Sequence, residues 1–520
     1  MSKRMTRFAL LSCASLTLLG LAAPALAQSA GGTIRIVTSF TVDDLNPAVG
    51  TASNFLYDYG ANETMMRLLD DGINHPWLLE ALENTGPNTW VLTLREGITF
   101  QNGKSLDVEA LLAAIERQRA LAPVSRSALP EGSTFEITGE REITLTTPVP
   151  FANVPAVLSQ DTIFPVYDVE AVEAVGEDWE QLAGAGIYTG PFILETLSPE
   201  GMTLSRYEDY WQGMPALETV DVRFVTDAMA RVLAVQNGEA DIAMYPPSAA
   251  AEVIARTPGM HYVLGGLPAG GFIAFTNVST APMDDANVRL AVQYGINYEE
   301  IASEVFQGLR EVPTGLFASA FEWALAGQHY DPEHAAMLLD EAGWAPGPDG
   351  IRVKDGERLE IVALIYPQQP DLPPMTNAMQ FQLRQIGIDF QARSVDDING
   401  ALLGDDVDWD IGFLSNATVS WGSPDQFFQR YIASSGDMNF AGYANDEVDA
   451  LISGILATVA PEERLPLLTR VQEILIEEDP YAIMTSVSSG RAVVNDRFRD
   501  YVPGTHNIFV TWETAPSEAQ

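Results

Sequence analysis

Cysteine is almost missing from this chain: Cys13 is the only one in 520 residues. It lies in an N-terminal segment expected to be removed, so disulfides, thiol catalysis and cysteine-ligated zinc are excluded from what remains. Histidine is nearly as scarce, with five: His75, His261, His329, His334 and His506. None falls in an H-E-x-x-H pattern, and Pro332 separates His329 from His334, so no catalytic zinc site and no other metal site is expected. Cations are few. Lys and Arg number 28 against 71 Asp and Glu, a formal charge of −43. Such a surface repels nucleic acid and anionic membrane faces, and no nucleic-acid partner is expected. It reads first as a solubilising, salt-tolerant surface, since net charge speaks to solubility more than to site chemistry. Beyond the N-terminus no apolar run approaches the roughly 20 residues of a spanning helix.

The N-terminus itself is informative. Lys3, Arg4 and Arg7 precede an apolar stretch over 8–23, Pro24 breaks it, and Ala25-Leu26-Ala27 leads to Gln28. That is a basic n-region, an h-region and a small-residue cleavage site, so residues 1–27 are expected to be a signal peptide and the remainder an exported protein. Leu10-Leu11-Ser12-Cys13 also resembles a lipidation box. The apolar stretch between Arg7 and Cys13 falls short of the usual length of about 7–15 residues, which counts against lipidation. At about 150 residues per domain the remainder has room for roughly three domains.

Strand-like and helix-like segments alternate along the chain, which predicts an α/β architecture. Strands are expected at 33–37, 90–94, 272–275, 359–365 and 409–414, with a hairpin over 136–145. Helices are expected at 107–119, 287–296, 332–342, 376–386 and 461–478. Asp331, Pro332 and Gly343 supply a cap, a first-turn proline and a stop for the third of these. No internal repeat or low-complexity tract appears, and the tail 514–520 is expected to fray.

Motifs for covalent chemistry are thin. Lys104-Ser105 after Gly103 suggests a phosphate loop, but the spacing from Gly97 is one residue too long and a strand stands where the loop should open. Asp405, Asp406, Asp408 and Asp410 lack the glycine and terminal glutamate of a calcium loop and read as a solvated turn. No G-x-S-x-G elbow is present. No catalytic residue and no cofactor is assigned.

A series of phrases in fixed order carries a resemblance. Trp77-Leu78 is followed by Trp90-Val91-Leu92-Thr93-Leu94-Arg95, Phe100-Gln101-Asn102-Gly103 and Thr189-Gly190-Pro191-Phe192. Arg206 with Tyr210-Trp211, Gly238-Glu239-Ala240-Asp241-Ile242, Val288-Arg289 and Ile296-Asn297 come next. Tyr330-Asp331-Pro332, Ala342-Gly343-Trp344, Gln385-Ile386-Gly387-Ile388 and Asn439-Phe440 complete it. The chain resembles the large extracytoplasmic solute-binding proteins of ABC importers, the peptide/nickel-binding family 5. The resemblance implies a two-lobed periplasmic-binding-protein-like fold with a ligand cleft between the lobes. On that pattern lobe I is 28–264 plus 486–520 and lobe II is 265–485. It also implies a monomer that captures a small peptide or similar polar solute, or a nickel–chelator complex, and passes it to membrane permease subunits. A secreted hydrolase on the same scaffold, or a chaperone or sensor, are the competing readings.

The resemblance also implies a site. Trp421, in Ser420-Trp421-Gly422, matches a tryptophan that precedes a glycine and lines the pocket in nickel-type relatives; the competing reading is a core tryptophan of lobe II. Phe55 and Tyr57, after Leu45-Asn46-Pro47, and Thr505 and His506 in the returning C-terminal segment complete the set of ligand-binding candidates. Two departures stand out. Peptide-binding relatives hold the ligand's amine with an acidic residue where this chain has Ser420, with Asp425 as a substitute nearby. Nickel-binding relatives use an arginine in the region that here reads Leu158-Ser159-Gln160-Asp161.

Overall fold

The computed structural model describes residues 32–42, 44–48, 52–404, 406–505 and 509–518. The predicted signal peptide, Cys13, Asp405 and His506 lie outside them. Ten strands form one large sheet: β1 (Thr33–Thr38), β2 (Phe192–Ser198), β3 (Gly201–Arg206), β4 (Thr219–Phe224), β5 (Ile242–Met244), β6 (Met260–Thr276), β7 (Glu360–Ile365), β8 (Asp389–Ser394), β9 (Ile411–Ala417) and β10 (Ala482–Asn495). Their spatial order is β8-β7-β9-β6-β10-β5-β1-β4-β3-β2.

Two strands hold this sheet together from end to end. β6 and β10 pair antiparallel from Met260↔Asn495 to Phe275↔Ala482. β10 also pairs with β5 through Ile242–Met244, whereas β6 pairs with β9 through Gly270–Thr276. The two strands therefore run out of one lobe and into the other. Their register breaks between Gly265 and Gly270, where residues 502–505 lie across the gap. A Cβ on Gly265 would sit 2.5 Å from the backbone Pro503 O, so only glycine admits that crossing.

Side chains alternate across each strand, and this builds a core on each face of the sheet. In the second lobe Phe272 and Ala274 face a core with Ile361, Ala363 and Phe413, covered by the helices Ala286–Gly295, Pro332–Glu341 and Leu372–Gln385. Ile273 and Phe275 face another with Leu364, Leu414 and Phe428, covered by Asp446–Ala457 and Pro461–Glu473. In the first lobe Ile34 and Ile36 pack with Phe192 and Val220, while Val37 packs with Val232, Ala243 and Val493 on the opposite face. A separate four-stranded sheet (79–86, 89–94, 134–137 and 142–146) wraps the first lobe around Trp90, Phe100, Ile115 and Leu145.

Most predicted elements form within a residue or two of their expected ends. Asp107 and Asp331 cap their helices by accepting from the Ala110 and His334 amides, both at 2.9 Å. Gly343 and Gly387 stop helices at φ +86° and +92°. The helix expected from 376 begins at Leu372, because the two prolines that follow occupy its first turn, where no amide partner is needed. The strand expected at 409–414 slides to Ile411–Ala417, since its polar end pairs through the backbone with Gly270 and Gly271. The last long helix is regular to Glu473 and then widens into π-turns over Ile474–Glu478. The tail does not fray over 514–518: the Ser517 amide donates to Arg497 O at 2.7 Å, and Arg499 donates to Glu518 O at 2.7 Å.

Candidate binding site at the seam between the lobes

The loop after β9 leaves the second lobe and is pressed against the first. Trp421 and Gly422 both take left-handed backbone, at φ +54° and +77°. That is ordinary for glycine, but for a bulky aromatic it is strained and persists only where surrounding contacts hold it. Those contacts come from the other lobe. Asn74 Nδ2 donates to Trp421 O at 2.6 Å, and Asn74 Oδ1 accepts from Ser159 Oγ at 2.6 Å. A Cβ on Gly422 would lie 2.9 Å from Gly72 O and from Leu68 Cδ1, so the turn fits only as glycine. The indole packs edge-on to Tyr57, with centroids 6.0 Å apart and planes at 69°, beside Ala156.

Beneath this aromatic pair the first lobe is acidic and dry. Tyr57 is buried, and burial pushes its phenol up to about 12. Asp161 has no exposed surface, and burial lifts its carboxyl to about 6 even though Asn54 Nδ2 donates to Oδ2 at 2.9 Å. Burial, with Asp161 second, raises neighbouring Asp58 well above the usual carboxylate range. Gln160 meets Gln426 of the second lobe at 3.3 Å, which keeps this stretch at the seam.

A second contact between the lobes is charged. Asp371, just before the second-lobe helix Leu372–Gln385, accepts from Ser248 N at 3.1 Å and Ser248 Oγ at 2.9 Å in the first lobe. Arg310 reaches the same carboxylate at 3.2 Å and lies over the Phe272 ring at 4.0 Å. Arg491, on the crossing strand β10, stands 4.0 Å away. Burial works to raise Asp371, but the two arginines and the Ser248 bonds outweigh it and hold the group below the usual range. Tyr245 stands nearby at φ +52°, a second strained aromatic, edge-on to Phe40 at 5.0 Å.

The sequence model for bacterial extracellular solute-binding proteins, family 5 (middle), matches residues 74–439. The chain belongs to this family. It is 26% identical over 502 residues to the glutathione-binding protein GsiB of Salmonella paratyphi A, covering 89% of this chain and 91% of that protein. It is 25% identical over 504 residues to the nickel-binding periplasmic protein of Escherichia coli, covering 93% of each. Among solved structures it superposes on NikA from Staphylococcus aureus in complex with Ni(L-His)2 with a TM-score of 0.77 at 21% identity, covering 94% of this chain and all of that one. It superposes on the oligopeptide-binding protein AppA from Bacillus subtilis, in complex with a nonapeptide, with a TM-score of 0.72 at 17% identity, covering 90% and 95%. The mixed α/β fold with two lobes is that of the family.

Within this family 5 chain, four of the residues singled out from sequence come together: Ser420, Trp421 and Gly422 form the turn and Tyr57 meets it. Phe55 stands apart and stacks on Phe40, with centroids at 5.5 Å. Thr505 sits at the break in β6, accepting from Leu267 N at 2.8 Å and donating to Asp70 at 2.5 Å. His506 lies outside the described residues. Asp425, considered as a substitute for a missing amine-binding acid, is completely buried and ion-paired with Arg464. Lys104, set aside as a phosphate-loop lysine, pairs with Asp168 at 2.9 Å and Glu170 at 2.8 Å. The reading from sequence did not single out Asp371, Arg310, Arg491 or Tyr245. A chain with so few cations does offer one signal: each arginine in an apolar stretch, as in Gly308-Leu309-Arg310, is a candidate for a specific role.

Proposed function

We propose that this protein is the solute-binding subunit of an ABC importer, working in the periplasm. It captures a small peptide or similar polar organic solute between its lobes and delivers it to membrane permease subunits, with no covalent chemistry. The observation that carries the reading is the seam: two lobes joined by β6 and β10, with aromatic, acidic and cationic side chains from both sides meeting there. The breaks in β6 and β10 near 265–270 and 488–490 act as the hinge, dividing the chain into 28–264 plus 486–520 and 265–485. A ligand that touches both halves stabilises the closed form by its differential affinity. The closed form is what the permease recognises.

The glutathione- and peptide-binding relatives support an organic solute. The nickel-binding relatives support a metal–chelator complex as the second reading. One experiment separates the two. The protein is purified natively, denatured, and its released content analysed by mass spectrometry and metal analysis. A stoichiometric organic solute supports the first reading, and stoichiometric nickel the second. The released compound, added back at 100 times its Kd, is expected to stabilise the protein by about 2.7 kcal/mol. Chemical conversion of that compound, or lobes that scatter X-rays identically with and without it, would overturn the import reading.

A further inference from the structure

The first-lobe wall under Trp421 holds two carboxylates, Asp161 and Asp58, with 0% and 1% exposure. Buried carboxylates are normally paired with a cation or saturated with hydrogen bonds, because desolvating an unpaired charge is costly. These two are neither. Asn54 satisfies Oδ2 of Asp161, while Oδ1 of Asp161 and Oδ1 of Asp58 make no hydrogen bond. Among the described residues no lysine, arginine or histidine forms an ion pair with either. Asp425, equally buried, has Arg464. The fold can therefore supply a counter-charge to a buried acid, and at Asp161 it does not.

The surroundings are those of a cation subsite. Tyr57 feels the charge of Arg67 and, less strongly, that of Asp161, and its ring meets the Trp421 indole at 6.0 Å. Aromatic faces attract cations most strongly when the site is dry. Ser159 and Gln160, the residues just before Asp161, reach Asn74 and Gln426 in the hydrogen-bonded seam. The indole belongs to the second lobe, so parting of the lobes uncovers the site and closure covers it. A hard metal ion would need several oxygen ligands. Among the described residues no group of three His, Cys, Asp or Glu side chains could hold one.

We propose that Asp161, roofed by Tyr57 and Trp421 and oriented by Asn54, receives an alkylammonium group of the imported solute. The solute's charge offsets the desolvation that the protein leaves uncompensated at Asp161. This inference rests on the import reading and adds the charge of the group that enters the first lobe.

Ethylammonium and tetramethylammonium chloride serve as probes, against sodium chloride at matched ionic strength, with melting temperature and tryptophan fluorescence as readouts. The native sequence is expected to respond to the ammonium salts beyond the sodium control. Asp161→Asn, nearly isosteric, is expected to weaken that response at least about tenfold. Trp421→Phe keeps an aromatic face and part of the response, whereas Trp421→Leu loses it. Equal responses to ammonium and sodium, or an Asp161→Asn variant that responds like the native protein, would overturn the proposal. Failure of the two readings can be told apart. A stoichiometric solute with no cationic group sinks the ammonium subsite and leaves import standing. Asp161-dependent ammonium binding, in a protein whose lobes never close, does the reverse.

Discussion

Asp161 and Asp425 are both completely buried carboxylates, and they differ in having a cation. Removing Arg464 would leave Asp425 unpaired in the interior, where burial raises its carboxyl even with the arginine present. Arg464→Ala is therefore expected to cost about 3–5 kcal/mol, read from the urea midpoint. Asp161 predicts the opposite. Its folded-state carboxyl is lifted from 3.8 to about 6, so between those values the folded protein holds a proton that the unfolded chain has released. Stability from this group is present at low pH and is lost as pH rises towards and past the folded value. Asp161→Asn is accordingly expected to be more stable than the native protein at pH 7, by up to about 3 kcal/mol, and to match it near pH 4. Urea unfolding at the two pH values checks this.

The crossing strands place their demands on glycine. A Cβ on Gly271 would lie 1.7 Å from Ser486 O, and one on Gly270 would lie 2.0 Å from Asn416 O. Both contacts are backbone, so no side-chain rotation relieves them. Gly271→Ala is expected to lose at least about 3 kcal/mol by forcing β6 away from β10. Gly97→Ala, at φ +79° with open space around it, should lose only about 1–2 kcal/mol of left-handed strain. Chemical denaturation of the two variants side by side separates packing from backbone conformation. Neither strand can be shortened without cutting a lobe, because β6 pairs with β9 at one end while β10 pairs with β5 at the other.

On the proposed import reading, the seam sets the balance between open and closed forms of the whole protein. Asp371 accepts two hydrogen bonds from Ser248 across it, and Arg310 and Arg491 keep that carboxylate ionised. Ser248→Ala removes the hydroxyl bond and leaves the amide bond. A hydrogen bond to a charged group is worth about 1.5 kcal/mol or more, so the open population is expected to rise roughly tenfold relative to the closed one. Small-angle scattering of the ligand-free protein would register this as a larger radius of gyration. Solute affinity should fall by a similar factor where closure and binding are coupled.

Much of this architecture was legible from local pattern. Alternation in Phe272-Ile273-Ala274-Phe275 marked a strand buried on both faces, and Asp331-Pro332 with Gly343 marked the ends of a helix. Ordered phrases from Trp77 to Asn439 marked the family, and within it Trp421 as a residue of interest. Periodicity, capping and turn chemistry act between residues a few positions apart, so one chain carries them openly. The seam is of another kind. Asn74 meets Trp421 across 347 positions, Ser248 meets Asp371 across 123, and Asp161 finds no ion-pair partner among the described residues. No local rule links such residues. Which side chains face one another, and which buried charge goes unanswered, follows only once two sheets' worth of side chains have found their places and the crossing strands have fixed one lobe against the other.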